Sequence, residues 1–432
     1  PGSVYAMGTG QAWIAIGLFL GTVFNWLCIS SRLRRYTIRA NNALTFPEYL
    51  QNRFHDTRKT LLLISSVVIV VFFLVYTASA LSAGGKLFNT VFGLDYHAAL
   101  AIGAGIILLY TVMGGFMAVC VTDFIQGMLM LVALLIVPIT AYGAIDGDLA
   151  SAVGATGVDA DSFLSLFKND GKDYDFIAII SQIGWGLGYC GMPHILTRFM
   201  AVKSNKELNK SKAIGIVWVA LSLGFACVIG IVGRAYLGNP VLADSENVFI
   251  EMILHIFTSN LFLTFLGGLF LCGILAAIMS IADSQLLVTA SSVSEDIYKS
   301  AFNPNADDKK ILKVSRITVG VVAVLAFAIA WNPDNSIMGL VSNAWAGLGS
   351  AFGPIVLLSL YWKRTNLAGA VSGIVTGGLT VIIWDYIPFG GQTLYEMTGL
   401  YSLVIGFALS LLVIIVVSLC TKKPSAEMLQ EF

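Results

Sequence analysis

Charge is what this sequence has least of. Only 12% of its 432 residues are charged and 57% are hydrophobic, whereas soluble domains average about 25% charged. That excludes an ordinary soluble domain and makes the chain an all-α polytopic membrane protein. Basic and acidic residues cancel to a net charge of +0, so no nucleic-acid partner is expected. Histidine is scarce: His55, His97, His194 and His255 are scattered and form no motif. The six cysteines (Cys28, Cys120, Cys190, Cys227, Cys272, Cys420) lie within or at the ends of apolar segments. They make no CxxC pair or metal-ligand spacing, so buried or lipid-facing thiols are expected. No GxxxxGK[ST] P-loop encodes an ATPase engine; neither enzymatic activity nor a cofactor is expected. The chain opens at Pro1 in small polar sequence without a signal-peptide pattern, and an upstream portion is expected to precede it.

Long apolar runs fill the remainder. Windows of at least about 18 apolar residues mark spanning helices. They fall at Ala12–Ser30, Leu61–Phe92, Ala98–Gly114, Met117–Ile145, Asp175–Ala201, Ile214–Leu237, Leu261–Ile297, Leu312–Trp331, Met338–Trp362, Leu367–Ile387 and Tyr401–Leu419, about eleven in all. Between the first two, Thr45–Phe54 reads as a short amphipathic helix with an Asn/Thr/Pro start. With this count, all but four of the 25 basic residues lie on one side; the exceptions are Lys86, Lys168, Lys172 and Arg234. A miscounted helix would scramble that asymmetry. By the positive-inside rule the C-terminus is cytoplasmic and Pro1 faces outside. The outer loops are polar: Asp146–Asp173 reads as a solvated connection, and Val248–Phe257 within the second as a short surface helix.

One span is unlike the others. The centre of Asp175–Ala201 carries Gly184, Gly186, Gly188, Gly191 and Pro193, interleaved with Trp185 and Tyr189. Glycine costs roughly 1 kcal/mol and proline roughly 3 kcal/mol in a helix interior. Either the helix is kinked and packs through its small residues, or it unwinds. Unwound backbone within a membrane is tolerated only where it is buried in protein or lines a cavity, as at the midplane site of a transporter. If the helix persists, Trp185 and Tyr189 share one face: packing aromatics, or walls of a small-ligand pocket. Met338–Trp362, with Gly347, Gly349, Gly353 and Pro354, reads as a second broken helix serving as hinge or gate, or as close packing through glycine.

Ionisable residues inside spans are functional by default. Asp123 lies near the start of Met117–Ile145; it is a cation ligand or an interfacial helix-start residue. Asp283 lies in Leu261–Ile297, where Ala277, Ser280 and Ser284 share a face. A carboxylate beside hydroxyls and carbonyls offers hard oxygen ligands for an alkali cation; the alternative is a residue wetted by the following basic loop. Tyr110 precedes a Gly114-Gly115 turn, as an interfacial aromatic or a polar handle toward a cavity.

Four stretches, Asn42–Tyr49 (NALTFPEY), Leu109–Ala118 (LYTVMGGFMA), Ile183–Ala201 (IGWGLGYCGMPHILTRFMA) and Gly273–Ser300, together with Gly339–Pro354, resemble the sodium/solute symporter family. Within it they are most similar to the bacterial sodium/proline symporters. LYTxxGGFxA is a family-level signature; GWGLGYxGxPHILxRFM is more specific to proline carriers. The resemblance covers essentially the whole chain. It implies a leucine-transporter-type five-plus-five inverted repeat in one integral-membrane domain over residues 1–432. Residues 12–145 would be the remainder of the first repeat, 175–362 the second, 367–419 two additional helices and 420–432 a cytoplasmic tail. The first core helix, with its sodium ligands and aspartate, is expected to lie outside this sequence.

By the same resemblance, Trp185, Tyr189, Pro193 and Tyr110 correspond to substrate-site residues, and unwound backbone near Gly188 and Gly191 would meet the substrate's charged ends. Ala277, Ser280 and the position of Ile281 correspond to sodium ligands, and Asp123, Asp283 and Ser284 to a second sodium site or sodium's inward path. Ile281 departs from the family's Ser or Thr, removing one hydroxyl. The implied function is sodium-coupled symport of L-proline into the cell by alternating access, in the cell membrane, with sodium as coupling ion, the bilayer as partner and a monomer as working unit. The alternatives are a symporter of another amino acid or small organic acid, a ligand-sensing membrane domain without transport, and a non-functional fragment.

Overall fold

The computed structural model describes residues 1–113, 116–169 and 172–431; the side chains at 110, 112–119, 169 and 431 are outside that description. Among the described residues, nine helices are long and apolar enough to cross a membrane, and two shorter apolar helices cover Tyr96–Leu109 and Phe176–Gly191. Together they occupy the eleven expected positions.

In chain order the main helices are α1 (Thr9–Arg39), α2 (Phe46–Arg53), α3 (Thr60–Phe92), α4 (Tyr96–Met113), α5 (Phe116–Gly143), α6 (Phe176–Ile183) and α7 (Pro193–Ala201). They are followed by α8 (Asn205–Leu237), α9 (Leu261–Ser291), α10 (Asp308–Ala330), α11 (Ile337–Tyr361), α12 (Leu367–Tyr386) and α13 (Ser402–Cys420). Side-chain caps set several starts: Thr45 accepts from Glu48 N–H to begin α2, and Ser204 from Glu207 N–H to begin α8. The Ser204 cap makes α8 begin nine residues before its apolar run, a polar extension that hydropathy alone does not see. The expected surface helix is present at Val248–Ile256.

Polar contacts gather at two ends. At the basic end, Arg34 donates to the Met200 carbonyl at 2.6 Å, Lys212 to Ser31 Oγ at 2.9 Å and Arg364 to the Thr421 carbonyl at 2.8 Å. At the opposite end, Lys86 pairs with Asp244 at 2.8 Å and Glu246 at 2.6 Å, and Glu246 accepts from Ile337 and Met338 N–H.

One expectation is corrected, and one open choice is resolved in favour of packing through glycine. The 146–173 connection is folded rather than merely solvated: Asp148 and Asp159 cap short helices at Leu149–Gly154 and Ala160–Phe163, and Val153 and Phe163 pack with Ala235. And the Met338–Trp362 span is not broken. α11 runs through Pro354 as one helix, and it is the most enclosed span, with 83% of its apolar window buried. Its glycines are contact points: a Cβ on Gly347 would meet the Phe72 ring, on Gly349 the Gly188 backbone, on Gly353 the Phe407 ring. Dense packing on every side holds a helix that its composition alone would not.

Candidate functional site

The α6–α7 span is interrupted as the glycine cluster foretells. Helix α6 gives way to a tightened 3-10 segment over Gly184–Gly191; Met192 is extended, and Pro193 opens α7. The missing Cβ atoms let neighbours approach to backbone contact. A Cβ on Gly186 would lie 2.1 Å from the Gly17 carbonyl of α1, and one on Gly188 2.0 Å from Trp345 Nε1 of α11. Freed carbonyls find side-chain donors. Trp345 Nε1 donates to the Trp185 carbonyl at 2.8 Å, and Asn25 Nδ2, at a π-helical turn of α1, to the Tyr189 carbonyl at 3.0 Å.

The 3-10 winding changes the relation of the two aromatics. At 3.0 residues per turn, positions four apart are offset by about 120°, so Trp185 and Tyr189 do not share a face. Trp185 stacks on Tyr401, centroids 5.1 Å apart and planes 21° apart, while Tyr189 meets Trp345 edge-on at 5.1 Å. His194, one residue into α7, packs against Phe73 and Tyr76.

These rings stand between two cavities. One, about 790 Å³, faces the acidic end and is lined by Ser181, Gln182, Trp185, Asn343, Asp385 and Tyr401, among others. Tyr174 lies at its rim, where burial pushes its phenol above the usual value, partly offset by hydrogen bonds from Gln182 and Gln11. The other, about 420 Å³, faces the basic end and is lined by Thr45, Phe46, His194, Arg198, Ser284 and Glu295, among others. Of the substrate-site candidates with described side chains, Trp185 lines the first cavity; Gly188, Tyr189 and Pro193 line neither, and follow Trp185 in the chain before His194, which lines the second. Tyr110 belongs to α4, but its side chain, like the Gly114-Gly115 turn, lies outside the described residues.

The ion-site candidates gather beside the second cavity. Arg198 Nη2 lies 2.6 Å from Asp123 Oδ2 and donates to Ser284 Oγ at 2.9 Å, and Ser280 lies against the Asp123 carboxylate. Ala277, Ser280, Ile281 and Ser284 follow one stripe of α9, continued by the cavity-lining Leu287, Val288 and Ser291. Asp283 faces away from that stripe and is wholly buried, accepting a short hydrogen bond from Thr111 of α4. Asp123 Oδ1 and Asp283 Oδ2 have no hydrogen-bond partner among the described residues. No cluster of three or more His, Cys, Asp or Glu is present among the described residues; carboxylates with hydroxyls suit a hard monovalent ion better than a transition metal.

Four residues escaped the sequence reading. Asn25 was detectable as an amide in an apolar span, and Arg198 as a charge in the last turn of another. Trp345 lies within a stretch read for its glycines and its family resemblance, not for its indole. Tyr401 carried no signal at all.

The sodium:solute symporter family model matches residues 1–377. A sodium/proline symporter of Staphylococcus aureus is 45% identical over 436 residues, covering 99% of this chain and 82% of the relative. Among solved structures, a Na⁺-coupled sialic acid symporter in a substrate-bound outward-open state is similar with a TM-score of 0.75 at 19% identity, covering 98% of this chain and 86% of that one. A nucleobase-cation-symport-1 family transporter in a closed conformation gives a TM-score of 0.50 at 11% identity, covering 98% and 90%.

Proposed function

The chain belongs to the sodium:solute symporter family, and from that premise we propose that it carries L-proline into the cell together with sodium, by alternating access. The observation that carries this reading is the interrupted span. Its Trp185 lines the cavity from the outer end and its His194 the cavity from the basic end, with Tyr189 between them in the chain. The Trp185 and Tyr189 rings offer apolar walls to a pyrrolidine ring from adjacent faces. The zwitterion's charged ends meet amides and carbonyls near Gly188 and Gly191, Pro193 fixes where α7 begins, and Tyr110 belongs to the same site by the family resemblance.

Sodium is held along the Ala277–Ser284 stripe with Ser280, and Asp123, Asp283 and Ser284 serve its passage toward the basic end. The basic end and the C-terminus face the cytoplasm, and the monomer is the working unit. Sodium favours the outward-open state through its differential affinity, so sodium and proline raise each other's affinity by the same factor.

The purified protein in proteoliposomes tests this. Radiolabelled proline uptake should require an inward sodium gradient and be competed by unlabelled proline ahead of other amino acids and small organic acids. Uptake that follows a proton gradient and ignores sodium would overturn the coupling. Preferential competition by another solute would overturn the substrate.

A further inference from the structure

The cavity at the acidic end stops on two stacked rings, and they come from distant parts of the chain. Trp185 belongs to the interrupted span. Tyr401 belongs to the connection between α12 and α13, the pair that follows the ten core helices of the inverted-repeat reading. Both rings line the cavity and both are buried, at 8% and 7% exposure. They lie nearly parallel, so the phenol covers one face of the indole.

Tyr401 is held there from three directions. Its hydroxyl donates to the Ser342 carbonyl of α11 at 2.7 Å, and its N–H to Ser181 Oγ of α6 at 3.0 Å. Ser181 Oγ in turn donates to the Gly399 carbonyl at 3.1 Å. Behind it, Trp384 Nε1 donates to the Leu400 carbonyl at 2.9 Å and Ser402 Oγ to Asp385 at 2.8 Å. The short helix Leu394–Thr398 that leads in is closed by a Thr393–Glu396 capping box and ends on Gly399 at φ 65°, a left-handed conformation that glycine adopts without strain.

We propose that Tyr401 is the outer lid of the substrate compartment. The phenol occupies the indole face that a solute ring arriving through the 790 Å³ cavity would need, so it must be displaced for the solute to reach Trp185. Once the solute is past, its return slows release. One side-chain rotation about a tethered backbone accomplishes this, and one stacked ring pair with one hydroxyl bond is a hold that a substrate can compete with. Tyr401 is therefore a gating and positioning residue contributed from outside the core repeats.

This rests on the transport reading, and two measurements separate them. In the first, bound radiolabelled proline is released toward the outer side. Tyr401→Ala should accelerate release about tenfold or more, since losses of this kind appear chiefly in the off-rate. Tyr401→Phe, which keeps the ring, should stay within about threefold of wild type, and the sodium concentration for half-maximal binding should not move in either. Equal release from Tyr401→Ala and wild type overturns the lid, and so does Tyr401→Phe behaving like Tyr401→Ala. The second needs no transport. With the six native cysteines replaced by alanine, Trp185→Cys is labelled by a membrane-impermeant maleimide from the outer side. Adding Tyr401→Ala should raise the labelling rate about tenfold, the expected gain when a covering ring is removed; an unchanged rate overturns the lid even if proline uptake is confirmed. If the proline reading fails instead, the labelling result stands by itself. Matched thermal unfolding of the variants excludes misfolding as the source of either effect.

Discussion

At the scale of the residue, Gly188 shows how little room the site allows. A methyl there would lie 2.0 Å from Trp345 Nε1, a buried side chain whose N–H satisfies the Trp185 carbonyl. Gly188→Ala must displace that indole. Overpacking costs about 1–3 kcal/mol, and an orphaned buried carbonyl a further ~1–3 kcal/mol. We expect a clear drop in thermal stability and proline affinity weakened by more than tenfold. Gly320→Ala in α10 is the control: nothing lies within 4 Å of its built Cβ, so stability should hold or rise by up to ~1 kcal/mol. The ion stripe permits a converse test. Ile281 is 45% exposed on the line joining Ala277 to Ser284, so Ile281→Thr adds a hydroxyl to that line and should lower the half-saturating sodium concentration for uptake. Asp123→Asn removes a charge beside the same line and should raise it. A flat response in both would remove the stripe from the ion's path. Trp185 and Gly188 were legible in sequence because glycine and aromatics alternate around a proline, a pattern a plain spanning helix does not carry. Tyr401 was not: its relation to Trp185 is a tertiary contact across more than two hundred residues, and a lone tyrosine at a span's edge looks like an interfacial anchor.

At the scale of the element, two glycine- and proline-bearing spans took different forms. The span holding Gly184–Gly191 lost its α-helical winding; α11 did not, though Gly347, Gly349, Gly353 and Pro354 looked equally disruptive. Composition reports what a helix costs in isolation. Here the surroundings decide, and they press on α11 from all sides. In the interrupted span, side chains from α1 and α11 take over carbonyls that the helix released, so the interruption depends on those donors. Asn25 is the sharpest case: buried at 1% exposure, its amide donates to the Tyr189 carbonyl. Asn25→Leu has similar volume and no donor. It should cost about 1–3 kcal/mol through the unsatisfied carbonyl, seen as a lower unfolding midpoint, and should reduce uptake because Tyr189 is no longer fixed. Unchanged stability and uptake would mean that the break maintains itself.

At the scale of the whole molecule, sequence reading succeeded best, because charge asymmetry and span count constrain each other. It failed for the 146–173 connection, where two capped helices and a buried Phe163 make a folded cover with little periodic signal. The same asymmetry predicts an orientation, with the basic end cytoplasmic, and that can be measured. Cys420 is exposed at the basic end, so an impermeant maleimide should label it only in inside-out vesicles, and Asp146→Cys in a Cys420→Ala background only in right-side-out ones; the reverse pattern would invert the topology.

Orientation then fixes the sign of the voltage effect. Proline is a net-neutral zwitterion near pH 7, so the charge crossing the membrane is that of the sodium ions alone. An inside-negative potential of 100 mV contributes about 2.3 kcal/mol per sodium, which corresponds to about fifty-fold accumulation. One sodium per cycle is the simplest stoichiometry, and the plateau of accumulation measures it. With sodium equal on both sides and a potassium diffusion potential of 100 mV imposed, accumulation should approach that fifty-fold figure and not its square. A plateau well beyond fifty-fold would mean a second sodium travels with each proline. No response to voltage would mean that sodium entry is not what drives uptake.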